Sequence, residues 1–179
     1  MDVVLPRAWR RESAWHGEAH WQCVTATGLE LAASAGGDTI DRALVFCFGL
    51  LHDTRRVNEA VDREHGRRAA DFARGLHEEG VLLLDEQRVD TLIEALGQHA
   101  DGRVSSDPTV GTCWDADRLH LPRVSIVPDP ALLSTQTALE PERLVTAQLL
   151  RSDPPSWDAL ITRAERRSSA IGRVTASGE

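Results

Sequence analysis

Apolar positions recur along the chain at the three-to-four-residue spacing of helices, and the strict alternation of a half-buried strand is nearly absent. Residues 1–14 read as an irregular lead-in. From Glu12 to Ser34, the positions Trp15, Cys23, Val24, Leu29, Leu31 and Ala32 predict a first helix, ended by Gly36-Gly37. Asp38 suits the N-cap of a second, whose apolar residues Ile40, Leu44, Val45, Phe48 and Leu51 require burial on nearly all sides. It is expected to end around His52. A third helix is predicted over Asp62–Gly75, with Ala69, Ala70, Phe72 and Ala73 inward and His65 near its start. Asp85 opens a fourth, striped by Val89, Leu92, Ile93 and Leu96 and carrying His99 at its C-terminal end. A small, polar loop, ADGRVSSDPTVGT, precedes CWDADRLHLPRV, which predicts a helix through Leu121 closed by Pro122. Pro128 to Pro130 form a break. Two weaker helices, Glu140–Leu150 and Ser156–Arg166, follow around Asp153-Pro-Pro, and the tail after Ser168 is expected to fray. The only β-like run is Val124–Val127. The expectation is an all-α fold without internal repeats.

Composition bounds the function. A chain of 179 residues is expected to form one domain, 1–179, with a full hydrophobic core. A net charge of −8 argues against binding a nucleic-acid polymer, which needs a basic surface. No run approaches the roughly 20 apolar residues of a membrane span, and the N-terminus lacks the apolar core of a signal peptide. A cytoplasmic protein is expected, with no membrane partner; nothing in the pattern points to a particular oligomeric state. Cys23, Cys47 and Cys113 are far apart without a CxxC and read as reduced. All 20 basic residues are arginine, and tyrosine is absent. That excludes Schiff-base lysine chemistry and tyrosine nucleophiles, and any bound phosphate must be held by arginine.

The chemistry gathers around LVFCFGLLHDTRRVN, residues 44–58, where an apolar run stops on His52-Asp53 and passes into Arg55 and Arg56. A buried ionisable pair needs a partner, and a metal supplies one. Candidate ligands sit at the ends or on the faces of the predicted helices: His20, His52-Asp53, His65, His99 and Asp115/Asp117. Imidazole with carboxylate suits one or two divalent ions among Mn, Fe, Co, Ni, Zn and Mg. His16 and His20, four apart, compete for one helical face. Asp115 and Asp117, two apart, cannot share a face, so one coordinates, and Asp117 is favoured. His77 reads as a surface residue, and His120 as facing elsewhere or standing behind the ligands. Trp21 and Trp114 read as core, with the wall of a base pocket as the other reading.

His20 followed by Val24, then LLHD at 50–53, then DADRLHLPR at 115–123 resemble the H…HD…D pattern of the HD-domain metal-dependent phosphohydrolase superfamily. The match runs from His20 to Pro130 and leaves 131–179 as a C-terminal helical extension. Glu64-His65-Gly66 and His99-Ala100-Asp101-Gly102 are similar to the extra histidines of six-ligand, two-metal members, among them HD-GYP phosphodiesterases and dinucleoside-tetraphosphate hydrolases. The resemblance implies an HD-like helical bundle with a metal site in its core. Asp53 would bridge two metals, with His20, His52 and Asp117 on one and His65 and His99 on the other. Arg56 stands where many relatives have lysine, and both the glutamate of HDxxE members and the GYP triplet are absent.

The implied activity is hydrolysis of a phosphomonoester or phosphodiester in a nucleotide or other small phosphorylated metabolite. Asp53, Arg55 and Arg56 would be catalytic, with Arg55, Arg56, Asn58 and Arg118 holding the substrate. The loop Asp101–Thr112, with Ser105 and Ser106, would close over it. The same ligand set also occurs in mixed-valent di-iron oxygenases of the superfamily, which is the alternative reading.

Overall fold

The structure, a computed structural model, describes residues 1–36 and 39–165. They form α1 (Glu18–Ser34), α2 (Arg42–Leu51), α3 (His65–Glu78), α4 (Glu86–Gln98), α5 (Pro108–Arg118), α6 (Pro141–Leu150) and α7 (Trp157–Glu165), with short 3-10 turns between them. No strand occurs among the described residues, and the expected all-α class holds. No helix is long and apolar enough to cross a membrane.

Several boundaries differ from the sequence pattern for local reasons. α1 starts at Glu18, not Glu12, because Gly17 takes an extended conformation against the carbonyls of Arg11 and Ser13, where a Cβ has no room. His16 therefore precedes the helix and does not share a helical face with His20. Asp41 caps α2 by accepting a hydrogen bond from the Leu44 N–H, while Asp38 lies outside the described residues. The predicted loop 100–112 is helical from Pro108 onward: Asp107 accepts from the N–H groups of Thr109 and Val110, and Pro108 takes the first helical position. α5 stops at Arg118, earlier than Leu121, and Pro122 lies in a 3-10 turn, Leu121–Val124. The β-like run at 124–127 is broken by Ser125 at φ 63°. The tail after Ser168 lies outside the described residues.

α1 runs through the middle, packed on α2 and α5, while α3 pairs with α4, and α2 touches α4 and α5. Trp21, Leu29, Leu44, Phe48, Leu92 and Leu119 are among the fully buried side chains of the shared core. α7 joins the same core through Trp157 and Leu160. Two glycines decide how closely these layers approach. A Cβ on Gly49 would collide with Thr25, so glycine lets α2 close on α1. A Cβ on Gly66 would lie 2.6 Å from the Leu96 carbonyl oxygen and 3.2 Å from His99 Nδ1. Each contact brings two histidine-bearing segments together.

Candidate metal centre

His20 comes from the first turn of α1, and His52 caps the C-terminus of α2 with Asp53 next to it. His65 is the first residue of α3, His99 caps the C-terminus of α4, and Asp117 lies in the last turn of α5. Five helices thus deliver six side chains to one place. The side chains fall into two buried groups, His20–His52–Asp117 and Asp53–His65–His99, with donor atoms within 4.8 Å of one another in each.

Asp53 connects the groups. Its Oδ1 is 3.4 Å from His65 Nε2, and its Oδ2 is 3.7 Å from His20 Nε2 and 3.8 Å from His52 Nε2. Asp117 Oδ1 is 3.3 Å from His20 Nε2 and 3.8 Å from His52 Nε2. The sequence placed these six residues together, and Asp117 rather than Asp115. The Asp115 carboxylate instead accepts hydrogen bonds from the Ser134 and Thr135 N–H groups and the Thr135 hydroxyl, fixing that turn.

The hydrogen bonds set the tautomers. A carbonyl oxygen can only accept, so Nδ1 carries the proton in His52 (3.0 Å from Gly49 O), His65 (2.5 Å from Asp62 O) and His99 (2.8 Å from Leu96 O). Burial lowers the pKa of all three rings, which keeps them neutral near pH 7. Each therefore presents a bare lone pair at Nε2. A proton on His20 Nε2 can close its 3.1 Å contact with His52 Nε2. The 2.8 Å contact between His65 Nε2 and His99 Nε2 has no such remedy, because both atoms are acceptors. Two metal–nitrogen bonds of about 2.1 Å, meeting at angles between a right angle and the tetrahedral one, hold their nitrogens about 3.0–3.4 Å apart.

The carboxylates complete the picture. Burial opposes ionisation of Asp53, but His52, His16 and His20 outweigh it and hold its pKa well below the usual range. Asp117 is likewise held low, against burial, by His20, Arg123 and His52. His20 is pushed well down, by burial first and then by Arg123. Ionised carboxylates beside neutral imidazoles are the protonation states a divalent cation binds. Asp117 Oδ1 and His20 Nδ1 are buried without a hydrogen-bond partner, so the protein alone leaves this cluster unsatisfied.

Asp53, His65, His99 and Asp117 line a cavity of about 620 Å³, within the range of small-molecule sites. Arg56, Arg63, Arg118 and Arg123 also line it, as does an apolar wall that includes Val61, Leu121, Val124, Ile126 and Leu132. Arg56 Nη1 is 3.5 Å from Asp53 Oδ1. Its neighbour Arg55 faces away: the guanidinium stacks 3.5 Å from the Phe72 ring centroid and donates to Arg7 O. Arg55 therefore cannot take the expected catalytic or substrate role, because the turn after α2 sends consecutive side chains to opposite sides. Asn58 is exposed and accepts from the Ala60 N–H, and it does not line the cavity. Arg118 lines the cavity and donates to Leu132 O.

Ser105 and Ser106 do not reach the cavity; Ala100 and Gly102 do. The Ser105 N–H is tied to Ser134 Oγ. Trp21 and Trp114 are core residues that donate to His16 O and Ala95 O, and neither walls the cavity. His120 stands behind the ligands, 2.9 Å from Thr27 Oγ1.

Two further residues line the site: His16, which the sequence offers as the competitor of His20, and Arg123, which it does not single out. His16 Nδ1 is 3.0 Å from Asp53 Oδ2. Arg123 lies within 4 Å of both ligand carboxylates, 3.9 Å from Asp53 Oδ2 and 3.8 Å from Asp117 Oδ1. The only sequence signal for Arg123 is its place at the end of the DADRLHLPR segment. No protein-family model, no curated protein and no solved structure matches this chain, so the reading of the site rests on its geometry.

Proposed function

We propose that the protein is a metal-dependent phosphohydrolase or phosphodiesterase of the HD type, acting on a nucleotide or another small phosphorylated metabolite. The observation that carries the metal is the His65–His99 pair, two fixed lone pairs 2.8 Å apart in a buried site with an ionised carboxylate oxygen beside them. His20, His52 and Asp117 would hold one ion, His65 and His99 a second, with one oxygen of Asp53 available to each. Divalent ions there would supply a water acidic enough to lose its proton near neutral pH and would offset charge on phosphoryl oxygens.

The remaining work falls to the chain. Arg56, buried beside Asp53, is placed to hold a non-bridging oxygen by a charge-assisted hydrogen bond. The apolar wall accepts the carbon portion of the bound group. Water oxygen then bonds to phosphorus as the bond to the leaving oxygen breaks. Arg56 and Arg123, both lining the cavity beside the carboxylates of Asp53 and Asp117, favour this reading over oxygenation of a neutral substrate.

The test is elemental analysis of the purified protein together with phosphate release from nucleotides and sugar phosphates in Mn²⁺, Co²⁺ or Ni²⁺. His52→Ala and Asp53→Ala are expected to abolish turnover while the helical circular dichroism persists. A coloured di-iron centre that consumes O₂, or turnover surviving either substitution, sinks the proposal.

A further inference from the structure

Arg123 is a cation buried beside a site built to collect cations. It lies in the 3-10 turn after α5, is 7% exposed, and lines the cavity. Its Nε donates to Trp15 O at 2.8 Å, and its Nη1 to His120 O at 3.1 Å. Two backbone carbonyls, one from distant Trp15 and one from nearby His120, thus fix the plane of the guanidinium. They aim its far edge at Asp53 and Asp117, yet it bonds to neither: the gaps of 3.9 and 3.8 Å exceed hydrogen-bond distance.

Its Nη2 is 3.2 Å from His16 Nδ1, the same atom that lies 3.0 Å from Asp53 Oδ2. One ring nitrogen cannot donate to the carboxylate and accept from the guanidinium together. When His16 donates to Asp53, both N–H groups of Arg123 Nη2 are left without an acceptor. With two divalent ions in place, the two carboxylates neutralise only part of the ionic charge. Arg123 then adds repulsion, and an anion between it and the ions reverses the sign.

We infer that Arg123 is a substrate-holding residue of this site. It binds a charged non-bridging phosphoryl oxygen on the Asp53 Oδ2 side, while Arg56 serves the Oδ1 side. His16 is its positioning residue: by engaging Asp53 it frees the guanidinium edge for the ligand. This inference rests on the phosphoryl reading above. It specifies a group with two charged non-bridging oxygens, gripped from both sides of the bridging carboxylate.

The test uses inorganic phosphate as the probe, titrated calorimetrically into Mn²⁺-loaded protein, with metal content measured in parallel. Arg123→Gln is expected to keep the wild-type Mn²⁺ content and to bind phosphate at least about tenfold more weakly, the loss of one charge-assisted bond. Arg123→Lys keeps the charge without the planar fork, so it is expected to recover part of that affinity. Should Arg123→Gln disturb folding, the lysine variant carries the comparison. Unchanged phosphate affinity in both variants, or Mn²⁺ lost in step with phosphate, overturns the role of Arg123. Wild-type loaded protein that fails to bind phosphate overturns the phosphohydrolase reading itself.

Discussion

If the two groups of ligands are two ion positions sharing Asp53, they should be separable by mutation. Removing His65 or His99 takes a donor only from the second group, because their Nε2 atoms lie 2.8 Å apart and group with Asp53. His20 and His52 belong to the first group, and Asp53 to both. An ion present at about a hundredfold over its Kd stabilises the folded state by about 2.7 kcal/mol. In a chain of this length each kcal/mol raises Tm by about 2–4 °C, so each filled position is worth about 5–11 °C. The assay is differential scanning fluorimetry of each variant with Mn²⁺ against the same variant with chelator, so that the packing cost of the substitution cancels. Wild type should take up two equivalents of Mn²⁺ and show both increments. His65→Ala and His99→Ala should each retain one equivalent and about half the shift, and Asp53→Asn should lose most of both. Two equivalents surviving in His65→Ala or His99→Ala would refute the second position. Loss of all metal in either would refute the idea that the first position stands by itself.

Three further outcomes test the frame around the site. Gly66→Ala places a methyl group 2.6 Å from Leu96 O and should push α3 off α4, costing one Mn²⁺ equivalent by elemental analysis while sparing the His20–His52–Asp117 position. Arg55→Ala should leave phosphate release unchanged and lower stability in urea by about 1 kcal/mol, because the guanidinium stacks on Phe72 outside the cavity. Asp41 caps α2 and pairs with Arg88 at 2.6 and 2.8 Å; burial opposes its ionisation, but Arg88 and the Leu44 N–H outweigh it and depress its pKa. Its contribution is therefore present above the unfolded carboxyl pKa of about 3.9 and is lost as pH falls through the lower folded value. Asp41→Ala should cost about 1–2 kcal/mol in urea at pH 7, and the gap from wild type should narrow below about pH 4.

What could be read from the sequence was what local pattern encodes. The stripe Val89, Leu92, Leu96 is buried as its spacing requires, and Asp85 caps α4. His52-Asp53 stood out because an ionisable pair closing an apolar run has few reasons to be buried. Arg55 and Arg56 look alike in sequence, and only the turn after α2 sends one to Phe72 and the other to Asp53. Arg123 was invisible for a different reason: the carbonyl that orients it belongs to Trp15, 108 positions away. His16 was expected on the α1 face, and the tight backbone at Gly17 moved it onto Asp53. Long-range backbone contacts of this kind leave no periodic trace.

The backbone also bears on how the proposed cation ligands and anion-holding arginines can coexist. His52 and His99 cap the C-termini of α2 and α4, and Asp117 lies one residue before the end of α5. Three helix C-termini, each with partial negative charge, converge on one point, against two N-termini, those of α1 through His20 and of α3 through His65. A partly buried helix terminus contributes up to about 2 kcal/mol toward a complementary charge. The bundle is therefore biased toward a cation before any side chain is counted, and Asp53 and Asp117 add to that bias. An anionic substrate approaching this end of the bundle meets unfavourable dipoles and two carboxylates unless cations intervene. Arg56 and Arg123 stand at 3.5–3.9 Å from those carboxylates, near enough to offset them and too far to be consumed by hydrogen bonds to them. In the proposed reading the ions would engage the helix ends and the carboxylates, leaving to the substrate those N–H groups of Arg56 and Arg123 that do not donate to backbone carbonyls.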